Sequence, residues 1–196
     1  MKNPTAAFYN FFSFLYPVVD LVLKPQKKIL FEEVNRLPEG TLLEIGVGNG
    51  SHLSLYQKHK ITAIDTSAAM LNIAREKKSP GIALIEMSGE SLLFEDSTFD
   101  YVVLSHVIAV VNDADQLFLE IYRILKPQGK ILILNHFTPD NWLRHVDRAL
   151  EPVAKSLQFK SFFRIGDIQA ITKFRIVKDV DVGMASYFKL FIYQKE

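Results

Sequence analysis

From position 41 onward, short runs of apolar and β-branched residues alternate with stretches whose apolar positions recur at helical spacing. That alternation predicts βαβ units and a mainly parallel sheet covered on both faces. The predicted strands are 41–45, 61–64, 83–87, 100–105 and 130–135, with helices over 51–59, 68–77 and 114–125. Ser67 and Asp113 stand where N-caps belong, because their side-chain oxygens can accept from amides of the first helical turn, and Pro127 and Gly129 close the third helix. After residue 138 the pattern changes. Residues 142–157 read as a helix and 165–171 as a short one, followed by two β-rich runs at 174–182 and 187–194 with Gly183 between them. Strands joined so briefly pair antiparallel. The expected fold is therefore α/β and doubly wound, with a mainly parallel seven-stranded sheet that finishes in an antiparallel hairpin at one edge.

Composition narrows the possibilities without changing that picture. A chain of 196 residues, 48% hydrophobic and 23% charged, suits one domain with a core that needs no covalent staples. The absence of cysteine excludes disulfides, thiolate metal sites and cysteine nucleophiles, fits a reducing cytoplasm, and leaves no basis for expecting a metal. Net charge is +1, with an acidic middle and mildly basic ends. A nucleic-acid binder concentrates far more lysine and arginine on one face, so nucleic acid is not the expected partner, whereas an anionic membrane stays open. The apolar run over 6–23 is interrupted by Asn10, Ser13, Pro17 and Asp20, has no small-residue cleavage site, and is marginal for spanning ~30 Å of hydrocarbon. It is read as retained in the mature protein.

The most informative stretch is Leu42-Leu43-Glu44-Ile45-Gly46-Val47-Gly48-Asn49-Gly50, an apolar strand that ends in an acid and opens into alternating glycines. Glycine allows a tight turn and close backbone approach to a ligand, and the first amides of the following helix favour a ligand carboxylate. Asp65 ends the second strand, where an acid that reaches two ribose hydroxyls belongs in a nucleotide-binding βαβ unit. The third glycine comes one residue early for a dinucleotide fingerprint, and Glu44 would repel a pyrophosphate. A methionine moiety, with an amino group as well as a carboxylate, suits that acid better.

These residues resemble the class I S-adenosylmethionine-dependent methyltransferases, with Glu44-Ile-Gly-Val-Gly-Asn-Gly50 as the glycine motif and the likeness running over about 35–137. The resemblance implies a Rossmann-like methyltransferase fold and S-adenosyl-L-methionine as cofactor, with Glu44, Gly46, Gly48, Asn49 and Gly50 around the methionine end. It also implies that Asp65 holds the ribose and that Thr66, Ser67 and Met70 line the adenosine. The segment Met87-Ser-Gly-Glu-Ser-Leu-Leu-Phe94 is similar to the family's third-strand region, but Ser88 stands where an acid usually meets the adenine amino group. That contact then falls to Glu90 or to the backbone of Gly89, Glu90, Ser91 and Leu92. Leu125-Lys-Pro-Gln-Gly-Lys-Ile131 matches the family's turn into the fifth strand.

Ligands of open α/β sheets bind at the carboxyl ends of the strands, which places Ser105-His106-Val107 and Asn135-His136-Phe137 toward the methyl group. An amine acceptor must lose a proton, and His106, His136, Tyr9 and Tyr16 are the candidates to assist, while His52 and His59 read as surface or packing residues. Residues 1–36 are expected to form an N-terminal helical lid, 41–137 the cofactor core and 138–196 a substrate-side helix and hairpin. Phe8-Tyr-Asn-Phe-Phe-Ser-Phe-Leu-Tyr-Pro-Val-Val-Asp20 is densely aromatic, and Lys24, Lys27 and Lys28 follow to meet lipid phosphates, so residues 6–28 are also a possible membrane contact.

A finer resemblance, to bacterial phosphatidylethanolamine N-methyltransferases with quinone-type methyltransferases as close relatives, rests on Tyr16-Pro-Val-Val-Asp20, Ser105 to Asn112, Leu134-Asn-His-Phe137 and Leu150 to Leu157. It implies a lipid amine acceptor and a cytoplasmic enzyme peripheral to the inner membrane face, with Arg144, Arg148 and Lys155 as phosphate candidates. A soluble or quinone-like acceptor is the alternative. A cofactor-binding module without catalysis is a second, motivated by Ser88.

Overall fold

The apolar runs become a sheet whose central strands are buried on both faces. Strands β1 (Thr41–Ile45), β2 (Lys60–Asp65), β3 (Ala83–Glu86), β4 (Phe99–Ser105) and β5 (Leu125–His136) are mutually parallel, while β6 (Phe174–Val182) and β7 (Phe188–Lys195) run antiparallel to their neighbours. The order is β3-β2-β1-β4-β5-β7-β6, with the predicted antiparallel pair at one edge. The computed structural model describes residues 26–77, 81–137, 164–182 and 188–196. The expectations placed on 1–25 and 142–157, among them Tyr9, Tyr16, Arg144, Arg148 and Lys155, lie outside these.

Alternation along each strand divides the apolar residues into two cores. Leu43 and Ile45 of β1 pack with Val102, Leu104, Ile131 and Ile133 under helix α3 (Ala114–Ile124), whose Leu117, Phe118 and Ile121 are fully buried. On the opposite face Leu42, Val103, Leu132 and Leu134 pack with Leu30 and Val34 of helix α1 (26–36) and with Leu71 of helix α2 (Ala68–Glu76). Near-continuous apolar strands are the expected consequence of helices on both faces. Glu44 shares parity with Leu42, so its carboxylate is carried into the interior on the α1 side.

Both predicted N-caps form. Ser67 Oγ accepts from Met70 N at 3.3 Å and an Asp113 carboxylate oxygen accepts from Gln116 N at 2.9 Å. Helix α3 stops earlier than expected, because Leu125 is already extended and pairs with Phe99, and Pro127 disfavours helical geometry at Lys126.

Two predicted helices are corrected. In place of 51–59 there is a 3₁₀ turn at Leu53–Leu55: Gly50 and Ser51 are poor helix formers, Asn49 Oδ1 takes Ser51 N at 3.0 Å, and the side chains of His52 and Tyr56 turn inward to Glu44. In place of 165–171 there are 3₁₀ turns at Ile165–Asp167 and Gln169–Lys173. There an Asp167 oxygen caps Arg164 N at 3.0 Å, and Asp115 of α3 takes Ala170 N at 2.7 Å, which interrupts any continuous α-helical ladder.

Candidate cofactor site

The site begins where β1 runs out. Gly46, Gly48 and Gly50 all adopt positive φ, at 76°, 56° and 64°, so each occupies backbone space that side-chain-bearing residues rarely enter. Gly46 N and Val47 N donate to Ile64 O at 2.8 and 3.0 Å, which ties the loop to β2. A Cβ at Gly46 would lie 2.3 Å from Val107 Cγ2, and one at Gly50 would lie 2.8 Å from Ala74 Cβ. The loop is thus a cradle of bare backbone pressed between the tips of β1, β2 and β4.

Asp65 closes the cradle from the second strand. Its carboxylate accepts from Gly48 N at 2.8 Å and from Ser67 N at 2.9 Å, so one side chain spans the glycine loop and the start of α2. Burial pushes the Asp65 carboxyl above the usual carboxylate range, against the backbone N–H donors that favour its charge, and the Glu44 charge adds to the rise. Of the flanking residues, Thr66 is exposed, Ser67 is half-buried and Met70 is buried.

Glu44 is fully buried, and both its oxygens are engaged. His52 Nε2 lies 2.5 Å from Oε1 and the Tyr56 hydroxyl donates to Oε2 at 2.9 Å. Burial and the adjacent Glu44 carboxylate push the Tyr56 hydroxyl well above the usual phenol range, so it remains a donor. His52 is therefore neither a surface residue nor mere packing, a correction to the sequence reading, and neither it nor Tyr56 stood among the expected site residues. Their only signal in the chain is proximity to the glycine motif. His59 does pack: its Nε2 meets Val34 O at 3.0 Å and its ring meets Tyr101 edge-on.

The third-strand loop is anchored at several points. Glu90 Oε1 accepts from Asp113 N at 2.5 Å, and Ser88 Oγ accepts from Glu90 N at 3.2 Å. A Cβ at Gly89 would lie 2.8 Å from both Ile45 Cγ2 and Leu117 Cδ1, so this loop lies flat over β1 and α3. Ser91 is exposed and Leu92 buried, with Leu92 N donating to Glu120 Oε2 at 2.8 Å. Glu90 is thus partly committed to the start of α3, and the amides of Glu90, Ser91 and Leu92 are themselves engaged by Ser88 Oγ, Ser88 O and Glu120 Oε2.

The strand tips that carry His106 and His136 come together around Phe188, a residue that sequence reasoning missed. His136 pairs with Phe188 across β5 and β7, and the His106 ring meets the Phe188 ring edge-on with centroids 5.7 Å apart. His106 holds φ at 59°, a left-handed conformation at the end of β4 that costs a non-glycine residue on the order of 1–3 kcal/mol. Its amide is fixed by Leu134 O at 2.8 Å. His136 is buried, and Ser105 Oγ is a buried hydroxyl with no hydrogen-bond partner among the described residues. Lys27 is also buried, which corrects its expected place against lipid phosphates, whereas Lys28 is exposed and lies 4.0 Å from Glu32.

A glycine cradle, a second-strand acid over it and a buried acid behind it fit a nucleoside that carries an amino acid, and they offer no cluster of cations to a polyphosphate. The chain belongs to the S-adenosylmethionine-dependent methyltransferases, and S-adenosyl-L-methionine is its cofactor. Residues 43–133 match the methyltransferase domain family. The chain is 32% identical, over 80% of each chain, to a phosphatidylethanolamine N-methyltransferase of Cereibacter sphaeroides. It is 29% identical to a ubiquinone/menaquinone biosynthesis C-methyltransferase of Escherichia coli, over 66% of this chain and 53% of that one. Among solved structures, a SAM-dependent methyltransferase of Thermotoga maritima superposes with a TM-score of 0.73 at 24% identity, covering 97% of this chain and 99% of that one.

Proposed function

We propose that this methyltransferase N-methylates the amine head group of a phospholipid at a membrane surface. The observation that carries the reading is the 32% identity, across 80% of both chains, with the phosphatidylethanolamine N-methyltransferase. Among the described residues no helix is long and apolar enough to cross a membrane. In this reading the segment over residues 6–28 contacts the membrane surface.

When bound, the cofactor supplies an electrophilic methyl on a sulfonium, open to in-line displacement by the acceptor nitrogen. The chain's part is to orient and to manage one proton. In this reading Asp65 accepts from the ribose hydroxyls, the glycine loop approaches the methionine end with bare backbone, and residues 88–92 meet the adenine. His106 and His136, gathered around Phe188, stand on the acceptor side, where one of them takes the proton that the amine must shed. The left-handed strain stored at His106 agrees with a positioned role there.

A quinone-like acceptor is the second reading, favoured by the 29% identity with the C-methyltransferase. One assay separates them: labelled cofactor is supplied with phosphatidylethanolamine liposomes beside soluble amines and quinols, and the products are resolved by chromatography. Label in mono-, di- or trimethylated lipid is the expected outcome. Label confined to a quinol or a soluble amine overturns the lipid reading and leaves the cofactor assignment intact.

A further inference from the structure

Glu44 is the penultimate residue of β1, two positions before Gly46, and nothing in its surroundings is solvent: its relative exposure is 0%. A buried, unsatisfied carboxylate is costly, so its partners matter. A carboxylate offers about four lone-pair acceptor sites, of which His52 Nε2 and the Tyr56 hydroxyl occupy two.

Both donors come from the turn that replaces the expected helix. His52 precedes the 3₁₀ turn Leu53–Leu55 and Tyr56 follows it, so the short turn sets the two side chains on opposite oxygens of one carboxylate. His52 Nδ1 is buried with no hydrogen-bond partner among the described residues. A bare lone pair there is cheaper than an unmatched N–H, so of the two neutral tautomers the one protonated at Nε2 is selected, and that proton is donated to Glu44. Phe31 of α1 backs the arrangement, 5.4 Å from the His52 ring and edge-on to Tyr56 at 4.9 Å.

We propose that His52 and Tyr56 are positioning residues for the cofactor: by holding the fully buried Glu44 carboxylate near the end of β1 they fix the glycine loop that follows in the geometry that takes the cofactor's methionine end. The proposal rests on reading Glu44 as part of the cofactor site and is independent of which acceptor is methylated.

The test is calorimetric binding of S-adenosylhomocysteine, which carries the same amino group and needs no turnover, to the full chain and its variants. Removing a hydrogen bond to a charged group should weaken binding by about 10-fold in His52→Ala and in Tyr56→Phe. His52→Gln, which returns an N–H donor near the Nε2 position, should recover most of the loss. In a Glu44→Gln background, which itself binds more weakly, His52→Ala and Tyr56→Phe should add little, because coupled residues are non-additive. Wild-type affinity in both single variants overturns the clamp, as does a full additional loss in the Glu44→Gln background. Glu44→Gln binding at wild-type affinity overturns the assignment of Glu44 itself. Tyr56→Phe keeps the ring that packs on Phe31 and decides the matter if His52→Ala does not fold.

Discussion

At the scale of single residues, Asp65 shows how a local environment becomes a property of binding. Burial raises its carboxyl above the usual carboxylate range, so folding alone favours the protonated form, and that contribution to stability is lost as pH rises through the raised value. In the proposed reading ribose hydroxyls donate to the ionised form, so cofactor binding should expel the proton. Cofactor affinity should therefore fall as pH drops through the raised value, starting at a higher pH than for an ordinary aspartate. Asp65→Asn should bind more weakly at neutral pH, by roughly 1–3 kcal/mol, and show no such pH dependence, as measured by titration calorimetry across the acidic range. A parallel slope in the variant would move the titrating group elsewhere. Asp65 was singled out in the sequence because it ends the second strand at the distance from the glycine motif where a nucleotide-binding βαβ unit carries an acid. The partners of Glu44 were not, because His52 and Tyr56 look like ordinary members of a helix until the turn is seen to break.

At the scale of elements, the loop after β3 is held by α3 through the side chains of Arg123 and Glu120. Arg123 donates to Leu92 O at 2.8 Å, to Phe94 O at 2.6 Å and to Asp96 Oδ1 at 2.9 Å, and it pairs with Glu120 at 2.9 Å. Glu120 in turn accepts Leu92 N. The side chain is about a third exposed, at 31%, which screens the ion pairs but not the two carbonyl contacts. Arg123→Ala should cost about 1–3 kcal/mol in urea unfolding with an unchanged denaturant slope. It should also weaken S-adenosylhomocysteine binding, since residues 88–92 lie in the same loop. Loss of stability with wild-type affinity would make the clasp purely structural. The caps of α2 and α3 could be read in advance because a cap is a contact within three residues. The Arg123 clasp joins residues 27 to 31 apart, and no local pattern announces it.

At the scale of the whole molecule, the sheet brings the tips of β1, β2 and β4 to one edge, and the cofactor should stabilise that edge as a unit. S-adenosylhomocysteine at about 100 times its Kd should add about 2.7 kcal/mol of stability and raise the melting temperature by several degrees. Hydrogen exchange should slow most at 44–50, 65–67 and 88–92. Protection confined to α3 and β5 would place the ligand elsewhere.

The alternating apolar runs, the helix caps and the tight glycine turn could all be read from the chain, because steric and hydrogen-bonding rules that act within a few residues dictate them. The antiparallel character of the last two strands followed from the shortness of their connection. Their order did not: β7 lies between β5 and β6, and only that placement brings Phe188 against His106 and beside His136. The tertiary structure likewise decided that the turn after the glycine loop would satisfy Glu44. A buried carboxylate takes whichever donors the packed fold delivers, and delivery across a sheet or a broken helix depends on contacts that no short stretch of sequence contains.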